Sequence, residues 1–318
     1  MPEQKRVCKS PPPSVASVLV VAVVVTACFL MGAHGFSTYK SLILSATPTV
    51  SLQGLSITSS GNIVAVGAPC QKPNNPVGGG TATSTGATVF PTASAGCNPN
   101  FVQIYTCTPA CSPVYQIIGT NIASNLGESC FGYSVALTNM GQFLAVGAPC
   151  CSSSAGAVVF FSLTTTAYTL LYTGYGTTTS TDNSFLGYSV AVSMVGTTVY
   201  AVAGAPGMES GGISYGGYQA YYFASTATAT PLVGTLTLFG GTPALFSGMY
   251  MSMAPGTTVF AASTSFYSTS NLAGAIIYSC TVGTATCALV TTNSRISLPS
   301  NQSTFPSTLT ILTQIGMP

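Results

Sequence analysis

Residues 131–149 read FGYSVALTNMGQFLAVGAP, two alternating apolar runs around one glycine that stop at Gly-Ala-Pro. The pattern recurs along the chain. LQGLSITSSGNIVAVGAP fills 52–69, LGYSVAVSMVGTTVYAVAGAP fills 186–206, and FSGMYMSMAPGTTVFAAS fills 246–263. Each copy reads as a strand, a short turn and a second strand. The turn glycines are Gly61, Gly141, Gly196 and Gly256, where a hairpin calls for positive φ. In the third copy two extra residues separate the turn from Gly204, which predicts a bulge. Two further β runs follow each hairpin, for example GAVVFFSL (156–163) and YTLLYTGY (168–175).

A unit of four antiparallel strands, repeated at about 52–120, 130–175, 185–240 and 245–293, predicts an all-β chain folded as a β-propeller of four recognisable four-stranded blades. FPSTLTILTQIG (305–316) repeats the opening of the unit, and KSLILSA (40–46) reads as an outer strand, so together they form a partial fifth blade. Small residues (Gly132, Ser134, Ala136; Gly187, Ser189, Ala191) alternate with larger ones in the first strand, as closely spaced inner strands require. A β-sandwich is the competing architecture.

Composition narrows the setting. Of 318 residues only 3% are charged, against about 25% in ordinary soluble domains, and the net charge is +2. So thin a positive charge gives no basis for holding nucleic acid. Lys5, Arg6 and Lys9 precede an uncharged apolar run from Val15 to Ala33. Residues 1–35 therefore read as a signal peptide or as an uncleaved signal-anchor helix crossing the membrane, with 36–318 outside the cytoplasm. Cysteine use agrees with export. Cys107 with Cys111 and Cys280 with Cys287 sit where strands meet at hairpins. Cys150 is placed to reach Cys130, and Cys70 with Cys97 would close a long loop. Asn301 opens the single N-glycosylation sequon of the chain.

The bracketed hairpin resembles the FG-GAP repeat of integrin α-chain propellers. Phe131-Gly132 with Gly147-Ala148-Pro149 matches the motif, Leu186-Gly187 with Gly204-Ala205-Pro206 nearly does, and Gly67-Ala68-Pro69 keeps its second half. The resemblance covers roughly 50–295. It implies a non-enzymatic extracellular or cell-surface module for adhesion or for binding a protein or glycan ligand; a surface-coat or wall glycoprotein without a discrete site is the alternative. Some family blades carry an aspartate-rich calcium loop in the first hairpin. Here those turns, such as Asn139-Met140-Gly141, hold no carboxylate, so no calcium and no other cofactor is expected.

The folded part offers little conventional chemistry. Its acids are Glu128, Asp182 and Glu209, and the one histidine, His34, lies at the leader boundary. No GxSxG or metal-ligand spacing occurs, so catalysis is not expected. In a propeller the loops joining strands 2 and 3, and those joining one blade to the next, share a face. Lys72, Glu128, Asp182, Glu209, Tyr215 and Tyr218 are the candidates for ligand contact on that face.

Overall fold

A computed structural model describes residues 56–60, 62–69, 100–107, 111–123, 126, 130–176, 184–210, 213–214, 216–225, 236–239, 248–264, 274–281, 286–290 and 295–297. The chain divides into two compact units, Met1–Ser45 and Ala46–Pro318, and every described residue lies in the second. The apolar run at 15–33, the strand at 40–46, the echo at 305–316 and Asn301 fall outside the described residues. Among the described residues no helix is long and apolar enough to cross a membrane.

Four antiparallel sheets follow one another in chain order. The first holds β1 (Ser56–Ser60), β2 (Ile63–Ala68), β3 (Phe101–Cys107) and β4 (Cys111–Ile118), and is followed by a single helical turn, α1 (Gly119–Ile122). The second holds β5 (Ser134–Leu137), β6 (Phe143–Ala148), β7 (Ala157–Leu163) and β8 (Tyr168–Tyr175), with a helical turn α2 (Cys151–Ser154) between β6 and β7. The third begins with β9 (Ser189–Val195) and β10 (Thr198–Ala205). A two-rung hairpin of β11 (Glu209–Ser210) and β12 (Ile213–Ser214) intervenes before β13 (Gly217–Ala224) and β14 (Leu236–Phe239). The fourth holds β15 (Met251–Met253), β16 (Val259–Thr264), β17 (Gly274–Cys280) and β18 (Cys287–Leu289), and β19 (Arg295–Ser297) also pairs with β17.

The first strands β1, β5, β9 and β15 lie side by side, so the sheets are arranged around their inner strands in a propeller-like way. Burial explains the sequence pattern of the middle strands. In β7, Val159 and Phe161 face the first sheet and Val158 and Phe160 face the third, so both faces are buried and the strand reads as one continuous apolar run. The outer strand β8 keeps Leu170 and Tyr175 exposed because only one of its edges is paired. Three cores fill the three spaces between sheets, each a mixture of aliphatic and aromatic side chains. Burying one such Phe contributes about 1.5–3 kcal/mol.

Two expectations need correction. The third copy has no bulge in its first hairpin: β9 and β10 pair without a break from Thr198↔Val195 to Gly204↔Ser189. Its two extra residues lengthen the ladder and shorten the turn, while bulges lie instead at Ile104/Tyr105 and Phe160/Phe161. Tyr218 does not reach the loop face. It is among the largest fully buried side chains, packed between the third and fourth sheets with its ring 5.5 Å from Phe260 and 5.1 Å from Tyr278. A large ring at that level of β13 fills the space between sheets.

Three disulfides tie the described residues: Cys107–Cys111 and Cys280–Cys287 close 3–4 connections, and Cys130–Cys150 joins the entry of the second sheet to the end of its second strand. Such bonds persist in an oxidising compartment. Cys70 and Cys97 lie outside the described residues.

Candidate functional site

The glycines of the recurring motif build one end of the hub. Gly132, Gly187 and Gly248 occupy equivalent places just before the inner strands, with φ of 89°, 86° and 88°. The amide N–H of each donates to the carbonyl that ends its own second strand: Gly147 at 3.1 Å, Gly204 at 3.0 Å and Ser263 at 3.1 Å. Their carbonyls point at the preceding sheet. An added Cβ on Gly67, Gly147 or Gly204 would strike the carbonyl oxygen of Gly132, Gly187 or Gly248. Ser134 Oγ donates to the Gly187 carbonyl at 2.8 Å, and Ser189 Oγ donates to the Gly248 carbonyl at 2.9 Å. The glycines thus let the end of each second strand touch the entry of the next sheet's inner strand backbone to backbone, and the serines lock that approach. At the equivalent place on the fourth sheet stands Ser263, whose hydroxyl accepts from the Tyr250 N–H.

The same turns aim a cluster of aromatic side chains over this end of the hub. Tyr133 N–H donates to the Cys130 carbonyl at 3.0 Å and Tyr188 N–H to the Phe185 carbonyl at 3.1 Å. Cys130 and Phe185 themselves have φ of 60° and 52°, an uncommon conformation for residues with side chains. Phe131 and Leu186, next in each turn, wedge into the cores between sheets. The following residues, Tyr133 and Tyr188, pack with ring centroids 5.0 Å apart beside Met249 and the Cys130–Cys150 bond. The Tyr133 and Tyr188 hydroxyls interact with each other. Tyr250 lies half-buried against the group. At the opposite end of the hub the first hairpin turns close in: Thr257 N–H donates to Ser193 Oγ at 3.3 Å, and Gly256 lies beside Asn139.

Burial holds these phenols protonated. Tyr133, Tyr188 and Tyr250 are all pushed above the ordinary value of 10.0, chiefly by desolvation. Tyr218 and Tyr221 in the inter-sheet cores are shifted the same way. A pKa raised in the folded state means that stability is fully present below the unfolded value and is lost as pH rises through it. We therefore expect cooperative unfolding above pH about 10, with phenolate absorbance and loss of sheet circular dichroism rising together. Gradual ionisation of all tyrosines near their ordinary value, with the sheet signal intact, would contradict the burial.

The candidates named from sequence fare unevenly. Lys72, Glu128, Asp182 and Tyr215 lie outside the described residues, and Glu209 is described only as the first backbone position of β11. Along the chain, however, Glu128 falls two residues before Cys130 and Asp182 falls two before Ser184. Glu209 directly follows Met208, which is buried after the Gly-Ala-Pro end of β10. By chain order Glu128 falls between β4 and β5, Asp182 between β8 and β9, and Glu209 between β10 and β13. Gly141, Gly196 and Gly256 turn the far-end hairpins with φ of 69°, 59° and 70°; Gly61 is not among the described residues. Pro69 is buried at the end of β2, and Ala148 is buried at the end of β6. Pro149 and Pro206 each directly follow a second strand.

Tyr133, Tyr188 and Tyr250 were not singled out from sequence. The available signal was the residue after each motif glycine: FGYS and LGYS carry Tyr there, and SGMY carries it one place later. One crevice between the third and fourth sheets, lined by Tyr200, Tyr222, Met253 and the Cys280–Cys287 bond, encloses only about 10 Å³. It is smaller than the roughly 300–1,000 Å³ of ligand pockets and adds no convergent polar group. Among the described residues no group of three or more His, Cys, Asp or Glu side chains is placed to hold a metal ion.

No family model matches the chain, and no curated protein matches it. Among solved structures, one neighbour is a crystal structure of a glycoside hydrolase family 43 arabinoxylan arabinofuranohydrolase from Bacillus subtilis in complex with cellotetraose. The identity is 14% and the TM-score 0.38, over 74% of this chain and 51% of that one. The chain thus spans about half the length of the enzyme it matches. These findings correct the kinship read from sequence. No family model carries the FG-GAP kinship, and with it the adhesion module, the coat protein and the exclusion of catalysis are withdrawn. The geometry also shows why the motif misleads: its glycines answer a packing demand of touching backbones, and that demand belongs to no one family.

Proposed function

We propose that this chain is a carbohydrate-active protein whose sugar site lies at the tyrosine end of the hub. The observation that carries the reading is the placement of its carboxylates. Along the chain Glu128 precedes β5, Asp182 precedes β9 and Glu209 follows β10, and none of them lies between the first two strands of a sheet. Glycoside hydrolysis needs a pair of carboxyl groups, one to protonate the leaving oxygen and one to act as base or nucleophile. The half-buried Tyr250 offers an aromatic face for a sugar ring at the tyrosine end.

The same reading takes the sheets as a closed propeller, completed by 40–46 and 305–316 as a fifth unit. It takes residues 1–35 as the signal or anchor that delivers the chain outside the cytoplasm, with Asn301 glycosylated. A glycan is the partner, nucleic acid is not, and no metal is required.

The test is release of reducing sugar from a panel of plant and algal polysaccharides and aryl glycosides by the purified chain. For two of Glu128→Gln, Asp182→Asn and Glu209→Gln we expect a loss of about 10²–10⁴ in rate. The third should change far less, and a chelator should leave the rate unchanged. Absence of hydrolysis across the panel, or equal rates in all three variants, sinks the reading.

A further inference from the structure

The described tyrosines form five ring pairs. In four of them at least one ring is buried: Tyr133 with Tyr188, Tyr172 with Tyr221, Tyr200 with Tyr222, and Tyr218 with Tyr278. Tyr115 and Tyr168 form the one pair in which both rings reach solvent. Tyr115 stands on β4 and Tyr168 on β8, the outer strands of the first and second sheets. Their centroids lie 5.7 Å apart with planes tilted by 36°, so the two rings are in contact. Both rings are held in place. Tyr115 donates its hydroxyl to the Thr164 carbonyl at 3.2 Å, and Tyr168 packs edge-on against Phe161 at 5.8 Å.

We propose that Tyr115 and Tyr168 are a modification site, the pair at which oxidation joins the first two sheets through a dityrosine bond. The oxidant is a peroxide acting through a haem peroxidase, a class suited to the oxidising compartment in which the disulfides persist. Each phenol gives up one electron and its hydroxyl proton to become a tyrosyl radical. The two radicals form one carbon–carbon bond between ortho positions, and each ring carbon then loses its hydrogen as the ring regains aromaticity while the phenol oxygen regains a proton. Overall two hydrogens leave the protein and one hydrogen peroxide becomes two waters. The closed loop spans 53 residues, the separation of 115 and 168, so the bond staples two sheets that are otherwise joined by one connection.

The experiment treats the full chain at low concentration with hydrogen peroxide and a haem peroxidase, then maps cross-linked peptides by mass spectrometry. Expected are dityrosine fluorescence, monomer mobility on a denaturing gel, and one linked peptide pair containing Tyr115 and Tyr168, lighter by two hydrogens. Tyr115→Phe and Tyr168→Phe should each abolish that pair, whereas Tyr175→Phe, at an exposed tyrosine without a close ring, should leave it. Near-ultraviolet circular dichroism confirms that each variant is folded, and the wild-type peptide map is decisive without them. Absence of dityrosine, or a bond mapped to another pair or between molecules, overturns the proposal.

Discussion

Gly147→Ala should destabilise the protein by about 2–4 kcal/mol, a large part of the roughly 5–15 kcal/mol that holds a domain together. The new Cβ would run into the Gly187 carbonyl oxygen and into Ser134 Oγ. The serine can rotate aside, but it then gives up its hydrogen bond to that carbonyl, worth about 1 kcal/mol. The carbonyl itself cannot turn away. It belongs to a turn fixed by the positive φ of Gly187 and by the bond from its N–H to Gly204. The end of β6 must therefore move away from the turn that enters β9, an overpacking cost of about 1–3 kcal/mol. Gly196→Ala is the control. Nothing lies within 4 Å of its added Cβ, so only its positive φ is strained, at about 1–2 kcal/mol. Urea unfolding followed by circular dichroism compares the two. A Gly147→Ala midpoint no lower than that of Gly196→Ala would show that the touching backbones are not what the motif serves.

That contrast marks how much of the fold could be read from the chain. The hairpin repeat was legible because each copy keeps a period-2 pattern and a turn glycine, and β5, β6, β9 and β10 stand where the pattern put them. The reason for the Gly-Ala-Pro glycine was not legible. It depends on a carbonyl 40 residues further along the chain, Gly187 against Gly147, and no local pattern carries that information. Ser263 is instructive for the same reason. It breaks the motif in the fourth sheet, and in sequence that looks only like decay. At the site, the burial of Tyr218 was hidden because a tyrosine beside a glycine-rich loop reads alike whether it faces solvent or the next sheet. The carboxylates Glu128 and Asp182 lie outside the described residues, so their loops rest on strand order along the chain alone.

Replacing both Cys130 and Cys150 by Ser should cost about 2–4 kcal/mol and loosen the tyrosine end before the rest of the hub. The bond closes a loop of 20 residues that contains the whole first hairpin of the second sheet, β5 and β6. Without it the unfolded chain gains conformational freedom, while the hairpin keeps its ladder. The native-state effect is local. Cys130 holds φ of 60° and accepts the N–H of Tyr133, so the bond helps to keep a residue with a side chain in the left-handed region. Cys150 directly precedes α2, whose Ser152 and Ser154 also have positive φ of 50° and 76°. Three such residues beside one disulfide form a segment that relaxes when the tether is cut, and Tyr133 moves with it. Hydrogen exchange followed by mass spectrometry should show faster exchange in peptides covering 126–135 and 149–156, with β7 and β10 unchanged below the global transition. If the tyrosine pair also positions the sugar, the double variant should lose affinity for glycan while its β7 and β10 protection stays at the wild-type level. Uniform loss of protection across all four sheets would instead mean that the bond supports the whole fold and that the tyrosine end is no separate unit.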